Sequence, residues 1–231
     1  MAARAWTLAM HDMRLQWRYG IYLAYGFVLA LYVGVLAVAG PHLPAWVPAV
    51  IIFTDPAALG FFFLGALMML ERAERVTSAL AVAPLAPADY FIAKCGTLTA
   101  VALIACAILL MFIHRPANPA LLLLTVALTS IQYLGIGVPI ALRFNTVSAY
   151  LIGSAAFLAP LIAPGALALV EGLPLPFLLI PAAAQLRLML VATGTGSASG
   201  GEIALCISVC LAAAAGAVWL ALKTLSREFG R

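Results

Sequence analysis

The chain reads as long apolar runs separated by short polar ones, and the length of each run decides what it forms. A helix that crosses a bilayer core of about 30 Å needs roughly 20 mainly apolar residues. Six segments meet that requirement: 21–39, 47–70, 91–113, 120–142, 147–169 and 203–222. The stretch 173–191 is also apolar, but Pro174, Pro176 and Pro181 interrupt it and Arg187 lies within it. It reads as a re-entrant or interfacial hairpin before the last span, because proline removes helix hydrogen bonds that lipid cannot replace. The expected fold class is an all-α integral membrane protein with six transmembrane helices, a single transmembrane domain over residues 1–231.

The segment before the first span has its own pattern. At about 100° per residue, Trp6, Met10, Met13 and Trp17 fall within about 60° of one another. Thr7, His11, Arg14 and Arg18 form a second stripe beside them, while Leu8 and Leu15 blur the far side. An apolar stripe with Trp at both ends next to a basic one suits an N-terminal interfacial helix over 1–19 in the headgroup layer. A cap helix packed on another subunit is the other reading.

Basic residues set the orientation. With six spans and both termini in the cytoplasm, Arg4, Arg14, Arg18, Arg72, Arg75, Lys94, Arg143, Lys223, Arg227 and Arg231 lie inside. Only Arg115 and Arg187 lie outside. A seventh span would transfer Lys223, Arg227 and Arg231 to the outer face and weaken the bias.

Composition narrows the function. The 231 residues are 66% hydrophobic and 9% charged, and so small a soluble globule could not hide that much apolar surface. The formal charge of +4 is spread out, with no basic cluster to track a phosphate backbone, which excludes nucleic acid as a partner. Cys95, Cys106, Cys206 and Cys210 all lie in apolar runs without metal-ligand spacing. His11, His42 and His114 sit at span edges on different sides and cannot share a metal. No carboxylate pair recurs at helical spacing within a span, and no serine has the context of an intramembrane protease. The run 194–201 is glycine-rich but lacks the Lys-Ser/Thr pair of a phosphate loop, so it reads as a flexible connector. The first 18 residues are too polar for a cleavable leader. No catalytic residue emerges, and the chain is not expected to be an enzyme by itself.

Intramembrane polar groups are costly and therefore candidates for function. Asp55 precedes Pro56 in the second span and reads either as a group facing a cavity or as the cap of a helix that starts at Pro56. Gln132 and Tyr133, with Thr125, Thr129 and Ser130 on nearby turns, are either cavity-lining groups or hydrogen-bonding glue between helices.

The connector between the second and third spans carries the most information. The second span runs into the charged turn Glu71-Arg72-Ala73-Glu74-Arg75. Val76, Ala79, Leu80 and Ala83 then share one face, and Pro84 ends the element. This describes a short helix, about 71–84, lying across the inner surface. The pattern Glu71-Arg72, Leu80, Pro84-Leu85, Tyr90 and Lys94 resembles the corresponding stretch of ABC-2-type ABC transporter permeases. It looks closest to the small fluoroquinolone-export permeases, and Asp55-Pro56 with Gly60 and Gly65 fits the same group.

The resemblance implies a division of labour. The helix 71–84 would be a coupling helix resting in a separate ATPase subunit, with Glu71, Arg72, Glu74 and Arg75 as contacts and Arg143 as a lesser one. Two permease subunits, identical or sister chains, would pair in a bacterial inner membrane. ATP and Mg would be bound by the ATPase dimer, in keeping with the absence of a Walker sequence from this chain. The expected role is export of a hydrophobic or amphipathic drug, lipid or peptide. An ATP-independent carrier or channel, or a membrane scaffold, are the competing readings.

Overall fold

The apolar runs form helices because a backbone in lipid has to satisfy its own hydrogen bonds. The computed structural model describes residues 2–73, 86–113 and 117–229. Among them the elements are α1 (Ala2–Arg18), α2 (Ile21–Ala39), α3 (Val47–Ala58) and α4 (Leu64–Ala73). There follow α5 (Pro87–Leu110), α6 (Pro119–Ala141), α7 (Val147–Ile162), α8 (Pro181–Ala192) and α9 (Gly200–Phe229). Six stretches are long and apolar enough to span a bilayer: Ile21–Ala39, Val47–Arg72, Pro87–Leu110, Pro119–Ala141, Val147–Leu169 and Gly200–Glu228.

The second span is one continuous helix. α3 passes through Pro56 and joins α4 by a π-helical turn at Leu59–Phe63. Proline removes one helix hydrogen bond, and a wide turn just beyond it lets the chain continue. The Tyr150 hydroxyl of α7 donates to the Phe61 carbonyl inside that turn. The Tyr150 ring lies on Gly65, where any larger side chain would overlap it. No helix begins at Pro56, so the capping role considered for Asp55 is not realised.

The most deeply packed span is α6, which touches α3, α4, α5, α8 and α9. Its start is fixed by Asn118, whose side chain accepts the Leu121 amide at 3.1 Å. Its closest neighbour is α9, because a Cβ on Gly135 would stand 2.6 Å from the Ala217 carbonyl carbon. α2 and α9 instead show mostly apolar side chains outward, Leu23, Phe27 and Trp219 among them. In a soluble protein such a surface would aggregate, whereas here it is the face that lipid solvates.

The fifth span ends in a 3-10 turn at Ala163–Leu169, and the proline-broken stretch forms another at Leu175–Leu179, followed by the 12-residue α8. At 1.5 Å per residue α8 is about 18 Å long, too short to cross. It is nonetheless buried along almost its whole length against α3, α6 and α9. α5 starts at Pro87, earlier than the hydropathy suggests, because proline suits the first helical position. α9 extends over 30 residues, well beyond the apolar run 203–222.

Replacing Gly135 with Val is expected to force α6 and α9 apart and to lower stability by about 1–3 kcal/mol. Thermal unfolding of the detergent-solubilised protein would register this as a lowered midpoint, whereas Gly26→Val, on the open face of α2, would leave it unchanged.

Candidate functional site

At the end of the bundle that carries both termini, helical spacing concentrates polar groups on three elements. Tyr90, Lys94 and Thr97 follow one another at i, i+4 and i+7 on α5 and so share a face. Asp12 and Gln16 do the same on α1, and Glu71 sits in the last turn of α4. All six side chains are buried.

Lys94 is the centre of this cluster. Its ammonium donates to Asp12 Oδ1 at 2.7 Å and to Glu71 Oε1 at 2.6 Å. The Tyr90 hydroxyl donates to the other Glu71 oxygen at 2.6 Å, and the Lys94 ammonium lies 5.0 Å from the Tyr90 ring centre. Asp12 Oδ2 accepts from Thr97 Oγ1 at 2.7 Å and from Gln16 Nε2 at 2.5 Å. A cleft of about 60 Å³ opens beside the cluster, between Leu8 and His11 of α1 and Ala93 of α5.

Burying an ion costs several kcal/mol, and the cost is recovered only where geometry is good and the remaining donors and acceptors are used. Here each carboxylate oxygen has a donor and the one ammonium has two anions. The arrangement therefore fixes three segments to one another. Glu71 closes the second span, while Tyr90 and Lys94 open the third, so the cluster pins together both ends of connector 74–85. Asp12 adds α1 to the same body.

The expected site residues fall in different places. Glu71, anticipated on a docking surface, has its carboxylate turned inward onto Lys94 and Tyr90, which corrects that placement. Arg72 points outward and pairs with Glu228 near the end of α9 at 2.7 Å. Glu74 and Arg75, with the remainder of the expected coupling helix, lie outside the described residues. Arg143 follows α6 and stands over the Phe157 ring at 6.0 Å, away from the cluster.

Among the intramembrane candidates, Asp55 accepts from the Tyr25 hydroxyl of α2 at 2.5 Å. Gln132 accepts from Gln185 Nε2 of α8 at 2.7 Å, an amide pair that holds α8 against α6. Tyr133 is fully buried with its hydroxyl toward the Leu161 carbonyl at 3.4 Å, and the Thr129 hydroxyl returns to the Thr125 carbonyl of its own helix at 2.7 Å. On the opposite end of the bundle the glycine-rich connector is tied down: Arg187 pairs with Glu202 at 2.7 Å and donates to the Ser197 carbonyl at 3.0 Å.

Sequence reasoning missed Asp12, Gln16 and Thr97. The signal was present on α1, where Leu8, Asp12, Leu15 and Gln16 form a second face about 100° wide opposite the Trp and Met stripe. Leu15 and Gln16 are buried on that face, whereas Met10, Met13 and Trp17 are exposed.

Lys94→Met is expected to leave two buried carboxylates facing each other and to destabilise the protein by about 3–5 kcal/mol. Asp12→Asn, which keeps most of the hydrogen bonds, should cost about 1–3 kcal/mol. The two changes made together should cost less than their sum in thermal unfolding, because they act on one network.

No curated protein and no solved structure matches the chain. One family model does, over residues 3–229, and so across nearly the whole sequence, both faces of α1 and all six spans included. Taken with the six apolar helices, this match makes the chain a multi-pass membrane protein and a member of the fluoroquinolones export permease protein family.

Proposed function

We propose that this permease is the membrane half of an ATP-driven ABC-2-type exporter, moved by a separate ATPase subunit. The observation that supports the reading best is the buried cluster around Lys94. A connector whose two ends are loosely held would absorb a push from outside. Glu71, Tyr90 and Lys94 instead join those ends, so a force on residues 74–85 acts on the second span, the third span and α1 together. Such a lever suits a protein worked by a partner on that face.

In this reading Arg72, Glu74, Arg75 and Arg143 supply the contact surface, and Glu71 acts from behind as a positioning residue. The ATPase dimer carries ATP and Mg, and a second permease subunit, identical or not, completes the translocation path. Both termini face the cytoplasm of a bacterial cell, where the basic residues are concentrated. The cargo is a hydrophobic or amphipathic small molecule, in keeping with interior faces built from Phe, Met, Leu and a few hydroxyls.

The test uses the permease reconstituted with its ATPase in proteoliposomes. Glu71→Gln with Tyr90→Phe is expected to leave ATP hydrolysis running while export per ATP falls at least about tenfold, a loss of 1.4 kcal/mol of coupling or more. Unchanged export per ATP in that variant, at wild-type assembly, would remove the role assigned to the cluster. Wild-type export that continues without any ATPase would remove the ATP-driven reading itself.

A further inference from the structure

The second span contains a group that the coupling account does not use. Asp55 lies in the ninth position of the stretch that starts at Val47, about 12 Å along the helix at 1.5 Å per residue. It is buried, and its hydrogen bond comes from the Tyr25 hydroxyl of α2. Among the described residues no ion pair reaches it, unlike Asp12, Glu71 and Glu202, which all meet a cation. A carboxylate at such a depth is costly when no cation accompanies it.

Proline loosens the same turn. Proline has no N–H, so the helix bond that residue 56 would have made to the Ile52 carbonyl cannot form. Ile52 and Asp55 are three residues apart and share a face, and Ile52 is buried as well. The acceptor on this turn is the Asp55 carboxylate, held by the Tyr25 hydroxyl. An aromatic wall adjoins it, since Tyr25 meets Phe63 edge-on at 6.2 Å between ring centres. Aromatic faces and a carboxylate together favour positive charge.

Access depends on α2, which is lightly held. Only Ile21, Tyr25 and Leu36 of its 19 residues are buried. Tyr25 is therefore the latch between α2 and α3, and its hydroxyl occupies the place where another positive or donating group would sit.

We infer that Asp55, beside the Tyr25 and Phe63 rings, forms a recognition point for a lipophilic organic cation that enters as α2 parts from α3 and displaces the Tyr25 hydroxyl. The assignment rests on the export reading only for its purpose, because binding to the permease needs no ATPase. The probe is tetraphenylphosphonium, with neutral triphenylphosphine oxide as the control, titrated by equilibrium dialysis against the purified permease in nanodiscs.

The wild type is expected to bind the cation saturably, and Asp55→Asn, which can still accept from Tyr25, to bind it at least about tenfold more weakly. Binding of the neutral control should not differ between the two. Tyr25→Phe should bind the cation more tightly than the wild type, since it removes the competing hydroxyl and leaves both the ring and the charge. The assignment is overturned if the wild type shows no saturable cation binding, or if Asp55→Asn binds the cation as tightly as the wild type. It is equally overturned if the neutral control weakens along with the cation. Should Asp55→Asn fail to yield folded protein, Tyr25→Phe decides alone: cation binding tighter than the wild type's supports the site, and unchanged or weaker binding overturns it. Intact cation binding in a protein that does not export would fault the export reading and leave this one standing.

Discussion

An ammonium taken out of water must be surrounded by acceptors, and Lys94 meets that demand by drawing together residues distant in sequence. Asp12 comes from the N-terminal helix and Glu71 from the end of the second span, each within 2.7 Å of its nitrogen. The remaining carboxylate oxygens take up Tyr90, Thr97 and Gln16. Neither carboxylate could remain buried without the lysine, nor the lysine without them. The position of α1 on the bundle, the entry of the third span and the exit of the second all follow from this one constraint.

Elsewhere the structure is held by close packing rather than charge. α6 takes the centre because Gly135 and the small residues facing it let α9 approach, and Gly65 admits the Tyr150 ring. Lipid provides no hydrophobic drive between helices, so shape fit and a few hydrogen bonds, such as Gln132 to Gln185, carry the association. The result is a firm interior with a lightly attached α2 at its edge. A firmly joined cluster at one end and a lightly held α2 beside the buried Asp55 are the two contrasting parts of the bundle.

The spans were legible because roughly twenty apolar residues in a row have one solution in lipid, and the positions of α2, α6 and α7 follow the hydropathy closely. The continuity of the second helix through Pro56 was not legible, since it depends on a π-turn that Tyr150 of another span completes. The cluster was half legible. Glu71, Tyr90 and Lys94 stood out as a spaced pattern, but spacing cannot show that Glu71 faces inward. Asp12 was hidden because a strong Trp and Met stripe drew attention to the opposite face of α1. Which face packs on protein and which meets lipid is a tertiary fact, and both faces of that helix are apolar enough for either.

In the proposed ATP-driven cycle, α1 and the third span move as one body while the connector is driven. Electron paramagnetic resonance distances between spin labels at Met13 and Ile92, both outward-facing, measure this directly in the assembled transporter. The same distance distribution is expected in the nucleotide-free and ATP-bound states, and a broadened one when Lys94 is replaced by Met. A distance that shifts with nucleotide in the wild type would mean that the cluster opens during the cycle, contrary to the account.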